Sequence, residues 1–368
     1  MSKMTTTTDT DVFTAKLAEY KKLIDADIAG YSKDLERETL QQFGANARLE
    51  IDSFLSILAR GGKRIRGALT MLSYEMCGGI DKQMITEAAR ALEMLHAYIL
   101  IIDDVQDHSG IRRSGPTAHV LLGNYHRRHE LANDSEHFGS SIAINAAISG
   151  AHSAQQVLTQ LKASPEAKLK AIQTINNTMV VTAHGQTNDI INEVVAEVTH
   201  QDIERVLEWK TAHYTFLNPL TVGMILAGAE DASIKAITDY AVHAGKAFQV
   251  TDDILGTFGS EFESGKSPMD DIREGKRTLI IAHALENTND DNKNFLVQML
   301  GNAHLTPVEF ERCRDILIGS GALEYAQNYA KKHVAKAIES LEKHPSDWNQ
   351  SGIQFLRGLA TYLLGRTA

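Results

Sequence analysis

Two acidic clusters, each at the end of an apolar helical run, are the features of this sequence best suited to chemistry. The first contains Asp103, Asp104 and Asp107, and the second contains Asp252 and Asp253. Carboxylates joined to an apolar helix repel one another and lose solvation, so the arrangement is unfavourable unless cations bind there. Asp103 and Asp107 are four residues apart and therefore lie on one helical face. Two such faces opposite each other would bind divalent ions, and Mg²⁺ is the usual ion when a phosphorylated substrate completes the shell.

Basic residues accompany the acidic clusters along the chain. They are Lys63, Arg66, Arg112, Arg113, Lys210, Lys266 and Lys276. Lys63 and Arg66 follow a Gly-Gly turn at a helix start, where free backbone N–H groups and side-chain charge together favour an anion. The adjacent arginines Arg112 and Arg113 can bind phosphate oxygens through planar, paired donors. The combination predicts polyphosphorylated substrates, one held through metal and another held directly.

Composition limits the possible classes of protein. The chain has 368 residues, of which 43% are hydrophobic and 23% charged, as in globular proteins. Its formal charge of −10 argues against a nucleic-acid partner. The two cysteines, Cys77 and Cys313, have no metal-ligand spacing and form no disulfide framework. No signal peptide or transmembrane run is recognised, so the expected location is the cytoplasm, without a stable membrane anchor.

The hydrophobic pattern has a helical period almost everywhere. Six prolines in the whole chain leave long uninterrupted stretches, and strand signals are few. The predicted helices cover residues 11–43, 45–59, 66–77, 82–107, 117–130, 139–161, 165–198, 201–210, 214–228, 232–255, 278–287, 293–300, 307–318, 323–343 and 353–364. We therefore predict a disordered tail over residues 1–10 and a single all-α domain over residues 11–368, with a break at 256–275.

Five blocks in a fixed order carry a family resemblance. They are 61–66 (GGKRIR), 103–107 (DDVQD) with Arg112-Arg113, Lys210-Thr211, 248–253 (FQVTDD) and 265–278 (GKSPMDDIREGKRT). With these blocks the chain resembles the trans-isoprenyl (polyprenyl) diphosphate synthases, in particular the geranylgeranyl and farnesyl diphosphate synthases. The resemblance implies an orthogonal helical bundle around a central cavity, a homodimer, and condensation of isopentenyl diphosphate with an allylic diphosphate.

The resemblance also implies roles for individual residues. Asp103 and Asp107 correspond to ligands of two Mg²⁺ ions, supported by Asp104, and Asp252, next to Asp253, corresponds to the ligand of a third. The residues implied to contact the allylic diphosphate are Arg112, Lys210 and Lys266, and those implied at the isopentenyl diphosphate site are Lys63, Arg66, His96 and Arg113. Lys276 is a further expected substrate-binding residue. Oxygens of Thr211 and Gln249 are expected to stabilise the allylic cation.

Product length is expected to depend on bulk upstream of the first acidic cluster. Tyr98 and Ile99 lie five and four residues before Asp103. A single aromatic at the fifth position resembles the geranylgeranyl diphosphate synthases, although helix geometry alone places Ile99 directly under Asp103. The second acidic motif of the family often ends in a third acid, and here that position is Gly256. The third metal site therefore has less negative charge.

Three alternatives remain at this stage. A farnesyl or longer-chain synthase differs from the preferred interpretation only in product length. A class I terpene cyclase normally has a different second metal motif and does not need Lys63 and Arg66 for isopentenyl diphosphate. A non-catalytic subunit of a heteromeric synthase generally lacks residues of the acidic motifs, whereas the first motif here is intact.

Overall fold

The computed structural model describes residues 8–259 and 267–365, and almost all of the regular structure in them is helical. The all-α prediction is therefore confirmed. The α-helices, in chain order, are α1 (Asp9–Phe43), α2 (Ala47–Ala59), α3 (Ile65–Met76), α4 (Lys82–Gln106), α5 (Ala118–Arg128), α6 (Ser135–Gln160), α7 (Pro165–Val194), α8 (His200–Arg205), α9 (Asn218–Leu226), α10 (Asp231–Ala236), α11 (Thr238–Phe258), α12 (Asp270–Glu274), α13 (Leu279–Glu286), α14 (Asp290–Met299), α15 (Pro307–Gly319), α16 (Ala322–Ser340) and α17 (Gln350–Gly365).

The first helix begins earlier than predicted. Thr8 caps α1: its hydroxyl accepts from the backbone N–H of Asp11, and its own N–H donates to the Asp11 carboxylate at 3.0 Å. This reciprocal pair satisfies two N–H groups that the helix start would otherwise leave without partners. Residues 8–10 are thus part of a capped helix, which corrects that portion of the predicted tail. The rest of the tail, residues 1–7, lies outside the described residues.

The predicted interruption between residues 210 and 214 is also wrong. A π-helix spans Val206–Leu217 and connects α8 directly to α9. Its backbone hydrogen bonds reach five residues instead of four, as in the bond from the Asn218 N–H to the His213 carbonyl. A search for the α-helical period of 3.6 residues misreads such a segment as a break.

Smaller differences occur on either side of the acidic clusters. The loop after the first cluster contains a two-stranded antiparallel hairpin, β1 (Ile111–Arg112) and β2 (Gly115–Pro116). After the second cluster, α11 continues to Phe258, and α12 forms inside the predicted break. None of the helices in the described ranges is long and apolar enough to cross a bilayer.

Two apolar clusters hold the helices around one cavity. The larger one is centred on α3 and α4, which bury most of their side chains, and it includes the fully buried Phe13, Tyr20 and Ile24 of α1. The smaller one joins the end of α11 to α13–α16. Removing so much apolar surface from water is the main stabilising term of the bundle. Between them lies a cavity of about 700 Å³, lined by α3, α4, the hairpin, α7, the π-helix, α11 and α12.

Candidate active site

The first acidic cluster lies at the C-terminal end of α4 and divides between two environments. Asp103 and Asp107 line the cavity. Asp104 is fully buried beside them and accepts a hydrogen bond from Nε of Arg112 at 2.8 Å. The same guanidinium donates to Asp103 at 3.3 Å. Asp104 therefore acts through Arg112, which it holds against the first cluster, and its carboxylate is not one of the groups that face the cavity.

The paired arginines are fixed by the hairpin. The turn between β1 and β2 places both Arg113 and Ser114 in the left-handed region, with φ of 52° and 58°. Two such residues in succession make the turn that matches the twist of a two-residue hairpin. Arg60 supports the hairpin by donating to the carbonyl of Pro116 at 2.6 Å. Arg112 and Arg113 thus reach the cavity from the hairpin. Holding two non-glycine residues in the left-handed region costs backbone conformational energy.

Two lysines lie against the first acidic cluster. Lys210 Nζ is 3.3 Å from Asp103, and Lys276 Nζ is 3.1 Å from Asp107. Both lysines also contact the buried Asp189 of α7, at 2.6 and 3.5 Å. Burial alone would raise the pKa of Asp189, but the two ammonium groups hold that pKa below its ordinary value. Burial would lower the pKa of Lys210, but Asp189 and Asp103 raise it above its ordinary value, so Lys210 stays charged.

The second acidic cluster is connected to the π-helix by a short chain of hydrogen bonds. The Thr211 hydroxyl donates to the side-chain carbonyl of Gln249 at 2.6 Å, and the amide N–H of Gln249 donates to Asp253 at 2.8 Å. Gln249 therefore contacts Asp253, one turn further along α11, rather than Asp252, although both acids line the cavity. Burial, with Asp271 and Asp252 nearby, raises the pKa of Asp253 well above its ordinary value.

Gly256 faces the carboxylate of Asp271 on α12. A Cβ atom at position 256 would lie 2.8 Å from Oδ2 of Asp271. The carboxylate of Asp271 therefore occupies the space that a third acid at position 256 would need, and it lines the cavity. The charge that Gly256 removes from this motif is therefore supplied by an acid from another helix, which the motif itself does not predict.

A second pocket of the cavity is lined by cations around His96. Arg66 donates to Thr215 Oγ1 at 2.7 Å and to the Tyr214 hydroxyl, with its guanidinium over the Tyr214 ring. His96 is buried, and its Nε2 lies 3.2 Å from Arg66 and 3.3 Å from Arg113. Burial and then the charge of Arg66 hold the pKa of His96 well below its ordinary value, so the ring is neutral. Because Nε2 faces two donors, the ring proton lies on Nδ1.

The turn before α3 completes this pocket. Gly62 has φ of +113°, and a Cβ atom there would lie 2.9 Å from the Arg113 guanidinium, so only glycine fits. Lys63 lines the cavity with its ammonium 5.5 Å from the Tyr362 ring of α17. The intervening Arg64 also borders the cavity, but its guanidinium is buried and paired with Asp25 at 2.8 Å and with Glu93 at 3.4 Å. These two carboxylates give Arg64 a structural role.

Apolar side chains line another part of the cavity. Tyr98 and Ile99 of α4 line it opposite Met179 and Ile190 of α7. Phe248 of α11 extends the wall and packs on Phe216 with ring centroids 5.6 Å apart. A polar region with cations and carboxylates therefore continues into an apolar region large enough for hydrocarbon.

The comparisons with known proteins agree with this arrangement. The Polyprenyl synthetase family model matches residues 50–317 of the chain. The chain belongs to the polyprenyl synthetase family. It is accordingly a prenyltransferase of the trans-isoprenyl diphosphate synthase type, with the isoprenoid synthase fold.

Individual members of this family are similar over most of their length. A geranylgeranyl diphosphate synthase of Saccharolobus solfataricus is 33% identical over 318 residues, which cover 86% of this chain and 90% of that protein. A geranylfarnesyl diphosphate synthase of Aeropyrum pernix is 30% identical over 79% of this chain and 86% of its own. The crystal structure of geranylgeranyl pyrophosphate synthase from Corynebacterium glutamicum, complexed with isoprenyl diphosphate and magnesium, matches with a TM-score of 0.90 at 28% identity, covering 95% of this chain and 99% of that one.

Most of the residues that the sequence singled out meet in this one cavity. They are Lys63, Arg66, His96, Tyr98, Ile99, Asp103, Asp107, Arg112, Arg113, Lys210, Thr211, Gln249, Asp252, Asp253 and Lys276. Asp104 lies behind the wall, and Lys266 lies outside the described residues. Sequence reasoning missed Asp189, Tyr214 and Asp271. Asp189 follows an uncharged stretch, residues 171–188, and that contrast was the available signal.

The cavity's donor set fits Mg²⁺ that is shared with a diphosphate. Carboxylate oxygens are the protein ligands that Mg²⁺ prefers, and it is usually held by one or two of them together with substrate phosphates. Among the described residues, no three acidic, histidine or cysteine side chains converge to form a complete metal site. The carboxylates of Asp103, Asp107 and Asp252 all face the cavity, so phosphate oxygens would have to supply the remaining ligands.

Proposed function

We propose that this prenyltransferase condenses isopentenyl diphosphate with an allylic diphosphate to give geranylgeranyl diphosphate. The proposal rests on one cavity that is lined by the two acidic clusters, by the cations around His96 (the proposed anion pocket) and by apolar side chains. Two diphosphates can therefore bind at once, and the growing chain has a place to extend. The similarity to the geranylgeranyl diphosphate synthase of Saccharolobus solfataricus supports this product class.

The acidic region is proposed to hold the allylic diphosphate. Asp103 and Asp107 would bind two Mg²⁺ ions and Asp252 a third, with phosphate oxygens completing each shell. When bound there, Mg²⁺ would neutralise the negative charge that develops on the leaving diphosphate. Lys210, Arg112 and Lys276 lie against the same carboxylates and are close enough to turn to phosphate oxygens. Lys266 is proposed for the same diphosphate from its motif.

The anion pocket is proposed to hold isopentenyl diphosphate. Arg66 and Arg113 are charged donors around the neutral His96, and Lys63 extends the pocket toward α17. Burial of the pocket strengthens each charge-assisted hydrogen bond relative to water. Since the charged groups that contact His96 are cations, the second diphosphate is proposed to bind there without a metal ion.

The reaction follows from these positions. The allylic C–O bond breaks and leaves a carbocation next to the diphosphate, and oxygens of Thr211 and Gln249 stabilise the positive charge. The double bond of isopentenyl diphosphate then forms the new C–C bond. The resulting cation loses a proton, which the released diphosphate can accept. The apolar walls exclude water, which would otherwise capture the cation.

Product length is proposed to depend on Tyr98. Its side chain lines the apolar region between the acidic cluster and the Met179 side of the cavity. Ile99 lines the same region, so the two side chains together bound the space for the chain. A longer product is the alternative, and it is favoured if the chain can pass Tyr98.

A homodimer is proposed on α6 and α7. Residues 137–161 and 171–188 contain no Asp, Glu, Lys or Arg, in a chain of which 23% is charged. Three of their large apolar side chains, Ile144, Ile148 and Val180, are exposed. A surface with exposed apolar side chains and no charged residues is typical of an interface between subunits. Light scattering should give twice the mass of the 40.5 kDa chain, and Ile148→Glu should reduce it to the monomer.

The function is tested by incubating purified protein with labelled isopentenyl diphosphate, Mg²⁺ and each of the C5, C10 and C15 allylic diphosphates in turn. The expected product is a C20 diphosphate, and chelation of the divalent ions should abolish its formation. Cyclised hydrocarbon without incorporation of label would favour a terpene cyclase. No conversion of any primer would favour a non-catalytic subunit.

A further inference from the structure

The π-helix directs successive pairs of side chains toward the cavity at intervals of four residues. Val206 and Leu207 line the cavity, as do Lys210 and Thr211. Four residues later, Tyr214 lines it and Thr215 accepts from Arg66. Pairs that recur every four residues would rotate by about 40° per repeat in an α-helix of 3.6 residues per turn. The wider π turn keeps all three pairs on the cavity side.

Two glycines border this segment on opposite sides. A Cβ atom on Gly185 of α7 would lie 2.7 Å from the carbonyl carbon of Trp209 and 2.8 Å from Cα of Lys210. A Cβ atom on Gly245 of α11 would lie under 3.0 Å from both Cα and Cβ of Ala212. Real Cβ atoms essentially never approach other atoms so closely. Because most of these neighbours are backbone atoms, the added carbon fits only if the π-helix moves relative to α7 or α11.

The contacts fall where the cavity side chains begin. Gly185 touches the backbone of Lys210, whose ammonium is 2.6 Å from Asp189 and 3.3 Å from Asp103. Gly245 touches the residue after Thr211, whose hydroxyl donates to Gln249 at 2.6 Å. A displacement of the π-helix from either neighbour would therefore move Lys210 and Thr211 relative to the acidic clusters.

We propose that Gly185 and Gly245 are positioning residues. Because they lack side chains, α7 and α11 contact the π-helix directly, and these two contacts, here called the clasp, place Lys210 and Thr211 at the reacting diphosphate. The inference rests on the roles proposed above for Lys210 and Thr211. Neither glycine touches substrate. They let α7, the π-helix and α11 pack without a gap. This packing fixes which side chains of the π-helix face the cavity.

Gly185→Ala and Gly245→Ala test the clasp. Each adds one carbon, and the π-helix must shift by several tenths of an ångström or more to accommodate it. Misplacement of a catalytic group by about 1 Å can reduce a rate about 100-fold. We expect kcat per folded molecule to fall at least tenfold in each variant. KM for isopentenyl diphosphate should rise less than kcat falls, because Arg66 and His96 belong to α3 and α4 and the π-helix reaches them only through the contacts of Tyr214 and Thr215 with Arg66.

Two other glycines provide matched controls. Gly30→Ala adds a carbon on α1 where nothing lies within 4 Å, and kcat should not change. Gly150→Ala adds a carbon that meets the Phe54 ring, including its Cζ at 2.5 Å, at a packing contact between α6 and α2. This second control should destabilise the protein but leave kcat per folded molecule unchanged. If Gly185 and Gly245 served packing alone, their alanine variants would likewise be less stable but keep the wild-type kcat per folded molecule.

Trp209 reports the position of the π-helix independently of activity. The chain has two tryptophans, so Trp348→Phe leaves Trp209 as the only one. In that background, Gly185→Ala and Gly245→Ala should shift the emission of the folded protein, and Gly150→Ala should not. If Gly245→Ala does not fold, Ala212→Gly is added to it. Removing the Ala212 Cβ takes away one of the close contacts and should restore folding and part of kcat.

A Lys210→Met variant distinguishes failure of the clasp from failure of the proposed role of Lys210. If Lys210→Met reduces kcat strongly while both glycine variants keep wild-type kcat and emission, the clasp is refuted and the role of Lys210 stands. If Lys210→Met leaves kcat unchanged, the proposed role of Lys210 fails, whatever the glycine variants do. A loss of kcat in the glycine variants that matches only their unfolded fraction, as in Gly150→Ala, also refutes the clasp.

Discussion

Replacing Asp189 by asparagine removes the negative charge that two partly buried lysines share. Asp189 Oδ2 lies 2.6 Å from Lys210 Nζ and 3.5 Å from Lys276 Nζ. At an effective dielectric of about 20, those separations correspond to roughly 6 and 5 kcal/mol of attraction before desolvation is subtracted. Breaking a buried pair by removing one partner typically costs about 3–5 kcal/mol. Because Asp103 and Asp107 still contact the lysines, we expect about 3 kcal/mol.

The assay is urea unfolding of Asp189→Asn in the absence of Mg²⁺, followed by circular dichroism. Asp231→Asn is the matched control, because the Asp231 side chain is 87% exposed where it pairs with Lys170, and exposed pairs contribute about 0.2–1 kcal/mol. The pKa of Asp189 is below its ordinary value, so its stabilisation is present above about pH 4 and lost as pH falls below it. If Asp189→Asn is as stable as Asp231→Asn, the charge network described here does not hold the two lysines.

Three further variants test other parts of the site. Asp104→Asn should reduce kcat about 100-fold with Mg²⁺ still bound, because Asp104 fixes Arg112 rather than metal; an unchanged kcat would refute that role. Tyr98→Ala should lengthen the product, as read by chromatography of the dephosphorylated prenols, and an unchanged distribution would exclude Tyr98 as the limit. Burial, followed by the charge of His243, lowers the pKa of His333 to about 4. As the pH falls, His333 is therefore protonated in the unfolded chain before it is protonated in the folded protein, and the free energy of unfolding should decrease between about pH 6.5 and 4. His333→Phe should remove up to about 3 kcal/mol of that fall in pH-dependent unfolding, and an identical pH profile would contradict it.

The sequence alone predicts the positions of site residues where acidic side chains recur at helical spacing. Asp103 and Asp107 are one turn apart at the end of an apolar helix, so their common face followed from spacing alone. The direction of the Asp104 side chain could not be predicted from spacing. Asp104 pairs with Arg112, and that pairing depends on a hairpin with two left-handed residues. A pattern of residue types does not reveal such a turn when neither of its central residues is glycine.

Non-local contacts explain the other differences. Asp189 has no motif around it and acquires its importance from lysines on the π-helix and after α12. Asp271 fills the space at Gly256 only because α12 packs against α11. The π-helix itself obscured the helical period at Thr211, which is why Tyr214 was assigned to the start of a new helix rather than to the site.

The most direct test of the central claim is a crystal structure with Mn²⁺ in place of Mg²⁺ and a non-reactive allylic diphosphate analogue. Anomalous scattering should locate three ions between the diphosphate and the carboxylates of Asp103, Asp107 and Asp252. Lys210 should then contact phosphate oxygen instead of Asp103. Ions and diphosphate bound elsewhere, with Lys210 still on Asp103, would contradict the account.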